Sequence, residues 1–240
     1  MTNPRDKTLK DFTEVLRWVD QHELDVTVIG GLAVGAFAAS QGISLFSGDL
    51  DLLVTPQEQA RFTRLAETDP RVEVAKRVEP RSLRVLVLRW GELEVDVLTN
   101  SDGLPSPDDA RARAWTVQGM QIADPVDLLC IKLSMMREKD VPHIAILREV
   151  CDGFAHSFFR SRNGRDAIEF LERWAQAERW ETLPVELFES LLKISTDSSP
   201  AGRKYLARRA PSRAYADNVV AAAPESERAQ LCSIATACHP

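Results

Sequence analysis

The spacing of apolar positions along this chain changes several times, and each change marks an element. Leu9, Phe12, Val15, Leu16 and Val19 recur at three- and four-residue intervals, which lines them along one stripe of a helix over 7–22. Asp25 to Ile29 is a short β-branched run that stops at Gly30-Gly31, and a helix over about 32–41 follows. Residues 49–54, Asp-Leu-Asp-Leu-Leu-Val, read as a strand with Leu50, Leu52 and Val54 on one face. Pro56 fits the first turn of a helix over 57–67, with Phe62, Leu65 and Ala66 inward. Two strands, 72–78 and 82–90, joined around Glu79-Pro80, lead as a meander into Glu92 to Leu98, which alternates with period two. Asn100 to Asp109 is rich in Asp, Ser, Pro and Gly and reads as loop, and a last short strand is expected over 115–122. Asp124 is an N-cap with Pro125 at the first helical position. The helix it opens carries Leu128, Leu129, Ile131, Leu133, Met135 and Met136, apolar almost all round, as in a buried helix. From 144 onward the pattern is helical only, over 144–159, 164–179, 184–194, 200–209, 212–222 and 224–237. The chain is therefore α+β, a sheet flanked by helices followed by an all-helical C-terminal half, with the domains at 1–124 and 125–240.

Composition narrows this little. A chain of 240 residues, 44% hydrophobic and 28% charged, is ordinary for a globular protein. The net charge of −6 argues against a nucleic-acid coat protein but leaves room for a local basic patch. No apolar run approaches the roughly 18 residues that span a bilayer, so no membrane partner is expected. The polar start, Met-Thr-Asn-Pro-Arg-Asp-Lys, does not resemble a secretory signal. Cys130, Cys151, Cys232 and Cys238 form no Cys-x-x-Cys pair, which fits reduced thiols in a cytoplasmic protein and gives no zinc site.

The chemistry concentrates in carboxylates. Asp49 and Asp51 are two residues apart on a strand and so share a face. Like charges this close repel, and a shared proton or a shared cation relieves them. Asp96 shares a face with Glu94 and Leu98; if its strand lies beside 49–54, three aspartates converge. That arrangement suits phosphoryl or nucleotidyl transfer assisted by two metal ions, and Mg²⁺ prefers such oxygen ligands. Gly30-Gly31, opening a helix, offers free N–H groups to a phosphate. Lys132 sits in the middle of the apolar helix and needs an anionic partner or a route to water. His143, after Pro142, reads as an ordinary surface or capping histidine rather than a general base. Arg203, Lys204, Arg208, Arg209 and Arg213 surround Tyr205 with no acid among them, either a solvated helix face or a contact for RNA phosphates and a stacked base.

Gly30-Gly31, the Asp49-x-Asp51 pair and the later strand aspartate Asp96 resemble the nucleotidyltransferase fold of the DNA polymerase beta superfamily. The chain is more closely similar to AbiEii-like toxin nucleotidyltransferases and related minimal bacterial members, over about residues 26–140. The resemblance implies a mixed sheet and a Mg²⁺-dependent enzyme that moves an NMP from an NTP such as ATP to a hydroxyl. It implies that Gly30, Gly31, Ser47 and Lys132 contact the nucleotide phosphates and that Asp49, Asp51 and Asp96 bind two metal ions. Many members carry a cation before the Ser-x-Asp-x-Asp segment, where this chain has Leu45 and Phe46. The acceptor stays open between tRNA or other RNA, as in a toxin–antitoxin enzyme with an antitoxin partner, a cationic small molecule of aminoglycoside type, and a protein hydroxyl. A reading from another class is a non-catalytic module of the same fold that senses a nucleotide or binds a partner.

Overall fold

The structure, a computed structural model, describes residues 7–39, 42–78, 85–104, 106–117, 119–160, 164–195 and 199–240. Contacts divide the chain into two compact units, 1–148 and 149–240. The sequence pattern draws its boundary at 124/125, so the buried helix expected to begin the second half lies in the first unit.

In the first unit a 3₁₀ turn, Leu9–Phe12, runs into α1, Thr13–Gln21. β1 (Thr27–Ile29) leads directly into α2 (Gly30–Ala39), and β2 is Asp49–Leu53. The Thr55 hydroxyl accepts from the Glu58 N–H and caps α3, Pro56–Thr68. β3 (Glu73–Val78), β4 (Val85–Trp90) and β5 (Leu93–Leu98) form the expected antiparallel meander. Glu79-Pro80 and positions 82–84 of the expected second strand lie outside the described residues, as do positions 40 and 41 of the second helix. The loop expected over 100–109 is interrupted by a short helix, α4 (Pro107–Ala112), whose start is capped by the Ser106 hydroxyl. The signal was local: Ser at the cap, Pro at the first helical position and two aspartates in the first turn. The single strand expected at 115–122 is a hairpin, β6 (Trp115–Val117) and β7 (Met120–Ile122), with Gly119 between them at φ 82. The Asp124 carboxylate accepts from the Val126 N–H at 2.9 Å and caps α5, Pro125–Met135. A 3₁₀ turn over Glu138–Asp140 then enters α6, Val141–Arg160, which carries Pro142 in its first turn and crosses the unit boundary.

The seven strands make one mixed sheet in the order β3-β4-β5-β2-β1-β7-β6. β2 is central, antiparallel to β1 and parallel to β5. Leu50 and Leu52 of β2 and Val95 and Val97 of β5 are completely buried on one face. Trp18 of α1 packs there against Phe62 of α3 and edge-on to Trp90 of β4, with ring centroids 5.9 and 5.1 Å away. Its indole N–H donates to Asp69 at 2.9 Å, so the ring is buried without an orphaned donor. The alternation that buries these residues turns Asp49, Asp51 and Asp96 to the opposite face.

The second unit continues from Glu149 along α6 into α7 (Gly164–Glu178), α8 (Val185–Ser195), α9 (Pro200–Arg209), α10 (Arg213–Ala222) and α11 (Glu225–Cys238). These spans follow the sequence pattern to within a few residues. α9 is the hub, packed against α7, α8, α10 and α11. Burial of Tyr205, Leu206 and Ala207 holds it there. Among the described residues no helix is long and apolar enough to cross a membrane.

Candidate active site

β2 and β5 lie side by side in parallel, and their register sets Asp51 opposite Asp96 and Asp49 opposite Glu94. One carboxylate oxygen from each of Asp49, Asp51 and Asp96 lies within 4.8 Å of the other two. The other neighbour of β2 brings in the glycine turn, since Ile29 pairs with Asp51 and Gly30 follows at once. Gly30 has φ 76, a conformation that side chains disfavour. A Cβ there would also fall 1.8 Å from Asp51 Oδ2. The missing side chain of Gly30 is therefore the space that the Asp51 carboxylate occupies. Gly31 leaves a second gap, where a Cβ would stand 2.9 Å from Ser47 Oγ and 3.7 Å from His143 Cε1. The Ser47 hydroxyl donates to Asp49 Oδ1 at 2.9 Å.

The electrostatics of the three aspartates are unfavourable without a cation. Burial, then the charges of Asp49 and Asp96, push the Asp51 carboxyl up to about 7. Burial, then Asp49 and Glu94, push Asp96 up to about 6. Asp96 Oδ1 is buried with no hydrogen-bond partner. An orphaned carboxylate oxygen within a cluster of hard oxygen donors fits a divalent ion such as Mg²⁺. Asp49, Asp51 and Asp96 are the residues that would hold it.

Lys132 is buried on α5, and the anionic partner it requires is Asp140, at 3.1 Å. Asp140 is fully buried and also receives Arg137, which donates from Nε at 2.6 Å and from Nη2 at 3.1 Å. These two cations hold the Asp140 carboxyl well below its ordinary range against the effect of burial. Lys132 and Lys139 also act on Asp51, where they oppose its upward shift. The structure thus brings Gly30, Gly31, Ser47, Asp49, Asp51 and Asp96 into one locality, with Lys132 within electrostatic range. The apolar run around Lys132 shows that it needs an acid, but only the fold selects Asp140. His143, expected as a surface or capping residue, is instead half-buried, with Nδ1 buried and unpartnered.

The basic stretch of the second unit is not an open patch. Arg203 is buried and makes a two-bond pair with Glu227 at 2.9 and 2.7 Å. Arg209 pairs with Glu172 and donates to the Glu181 carbonyl at 3.0 Å. Arg213 pairs with Asp217 at 2.9 Å. Tyr205 is buried and has no face to offer a base, which corrects the stacking role weighed for it. Arg208 is exposed and Lys204 half-buried.

No family model matches the chain, and no curated protein matches it. Two solved structures from Helicobacter pylori are similar at 14% identity. One is JHP933, over 82% of this chain and 92% of that one, with a TM-score of 0.35. The other is named a “putative nucleotidyltransferase”, over 82% of this chain and 95% of that one, with a TM-score of 0.33.

Proposed function

We propose that this chain is a metal-dependent nucleotidyltransferase that moves an NMP from an NTP to a hydroxyl acceptor. The observation that carries the reading is the convergence of Asp49, Asp51 and Asp96 within 4.8 Å beside a glycine turn shaped around one of them. Three half-buried carboxylates whose mutual repulsion Lys132 and Lys139 only partly oppose cost stability, and a divalent ion offsets that cost.

In this reading the triphosphate lies at the start of α2, against the Gly30 and Gly31 backbone and the Ser47 hydroxyl, with Lys132 adding positive charge. Mg²⁺ ions held by the three aspartates would neutralise phosphate charge and activate the attacking oxygen. Without nucleotide Asp49 is fixed by its bond from Ser47, whose hydroxyl turns to the phosphate when the NTP binds, and Asp51 is fixed by the space Gly30 leaves. Asp96 takes the proton of the acceptor hydroxyl as its oxygen attacks the α-phosphorus. The α–β phosphoanhydride bond breaks and pyrophosphate leaves. The chain's contribution is position and charge.

For the acceptor, an RNA end with an antitoxin partner is supported by the resemblance to AbiEii-like toxins. Arg208 and Lys204 are the cations of the 203–213 stretch left for RNA phosphates. A cationic small molecule is favoured instead by the negative charge of the aspartate face. A cytoplasmic site of action would suit an NTP substrate. The test is incubation with each α-labelled NTP, Mg²⁺ and cell extract, with label followed into RNA, protein and small-molecule fractions. Transfer that Asp49→Asn abolishes supports the enzyme. Nucleotide binding without transfer to any fraction favours a nucleotide-sensing module.

A further inference from the structure

We propose that His143 is a phosphate-positioning residue of the nucleotide site, supplying from the start of α6 the donor that Leu45 and Phe46 lack; this rests on the nucleotidyltransferase reading above. The geometry is specific. The point that a Cβ on Gly31 would occupy lies 3.7 Å from His143 Cε1 and 2.9 Å from Ser47 Oγ. Cε1 is the ring carbon between the two nitrogens, so the nitrogen-bearing edge is turned towards the glycine turn. His143 Nδ1 is buried and has no hydrogen-bond partner. A buried ring nitrogen left unpaired is costly, and its cost is relieved when a ligand supplies the partner. Gly31 lies in the first turn of α2, where unpaired backbone N–H groups also favour an anion.

Of the cations at the α5–α6 junction, Lys139 is exposed on the 3₁₀ turn. Lys132 and Arg137 are both held by Asp140. Phe46 is half exposed and offers no charge. His143 therefore offers an uncommitted polar edge beside Gly31. The groups acting on its ring are Lys132 from α5, Arg137 before the 3₁₀ turn and Lys139 and Asp140 within it, with Ser47, bonded to Asp49, on the β2 side. Burial, then Lys132, lower the imidazole's pKa, so the resting ring is neutral with one N–H to donate. A phosphate oxygen arriving at that edge accepts this bond and stabilises the protonated ring, which strengthens the contact. The ligand class is the terminal phosphates of the NTP, or equally the pyrophosphate product.

The test uses the full chain with Mg²⁺ and either pyrophosphate or ATP as probe. His143→Phe keeps the ring volume and removes the donor, whereas His143→Gln restores one. Losing a hydrogen bond to a charged group should weaken pyrophosphate binding and raise the KM for NTP by about tenfold or more. The Gln variant should recover most of both. In the wild-type protein the His143 Cε1–H proton resonance should titrate at higher pH once pyrophosphate and Mg²⁺ are added. This measurement needs no variant, so a His143→Phe protein that fails to fold leaves the proposal testable. If wild-type chain binds pyrophosphate or ATP but His143→Phe binds equally well, or the resonance does not respond, His143 has no phosphate role and the enzyme reading stands. If the wild-type chain binds neither probe, both fall together.

Discussion

Replacing Asp51 with Asn tests the site through stability, before any acceptor is known. Asp51 lies in register beside Asp96, on the same strand face as Asp49, and is raised to about 7. In the unfolded chain an aspartate ionises near 3.9. Between those values the native state binds more protons than the unfolded state, so native stability falls as pH rises from about 4 to about 7. Above 7 the whole penalty is present. A carboxyl carried from 3.8 to about 7 corresponds to about 4 kcal/mol. Asp49 and Asp96 share the same repulsion, and the side chain keeps some contact with water, so the net gain from Asn should be about 1–3 kcal/mol. In a chain of this size that is a rise of about 2–4 °C in Tm per kcal/mol. Thermal melts from pH 4.5 to 8.5 in EDTA should show Asp51→Asn more stable than wild type at pH 8, with the difference closing towards pH 4.5. Adding Mg²⁺ at pH 8 should raise the wild-type Tm and leave Asp51→Asn nearly unmoved. An Asn variant less stable than wild type at pH 8, or one with the same pH slope, would show that this carboxylate is not strained. A retained Mg²⁺ response would show that the three aspartates are not the metal site.

Three further outcomes are expected. Gly30→Ala should cost about 1–2 kcal/mol for its left-handed backbone and should abolish Mg²⁺ stabilisation and transfer, because the methyl lands on Asp51. Gly42→Ala, at φ 75 with nothing within 4 Å of its Cβ, should show the backbone cost alone; equal activity in the two would refute the steric argument. Lys132→Ala leaves buried Asp140 with Arg137 alone, so melts should show a loss of about 3 kcal/mol or more, together with a raised KM for NTP. An unchanged KM would confine Lys132 to the ion pair. Arg203→Ala strands Glu227 and should destabilise the helical unit by about 2–4 kcal/mol, whereas exposed Arg208→Gln should stay within about 0.5 kcal/mol of wild type. Denaturation followed on both variants checks this, and equal losses would refute the buried-pair assignment.

Several elements were legible because their signals are local. The period-two alternation at 49–54 and 92–98 fixed which side chains share a face, and the structure keeps both alternations. The helix expected over 200–209 is observed as Pro200–Arg209, opened by Ser199 and Pro200. α4 was missed although Ser106 and Pro107 announce it, because the surrounding Gly, Pro and Asp residues favour turns just as strongly. The hairpin at 115–122 was read as one strand, because Gly119 fits a bulge or a turn equally well without its pairing.

What sequence alone determined is the direction in which each aspartate points, since that depends only on the two-residue repeat of its own strand. It also determined that Lys132, among apolar residues, must have an anionic partner. The tertiary structure decided which strands are neighbours, and hence that Asp51 meets Asp96 and that Gly30 gives up its Cβ volume to Asp51. It decided that Lys132 finds Asp140, that Arg203 is buried against Glu227, and that His143 faces Gly31. Arg203 shows why these lay out of reach. Its own segment is rich in cations and contains no acid, so local pattern assigns it to solvent. The carboxylate that permits its burial comes from the next helix but one, and desolvating a charge depends on the partner that packing supplies.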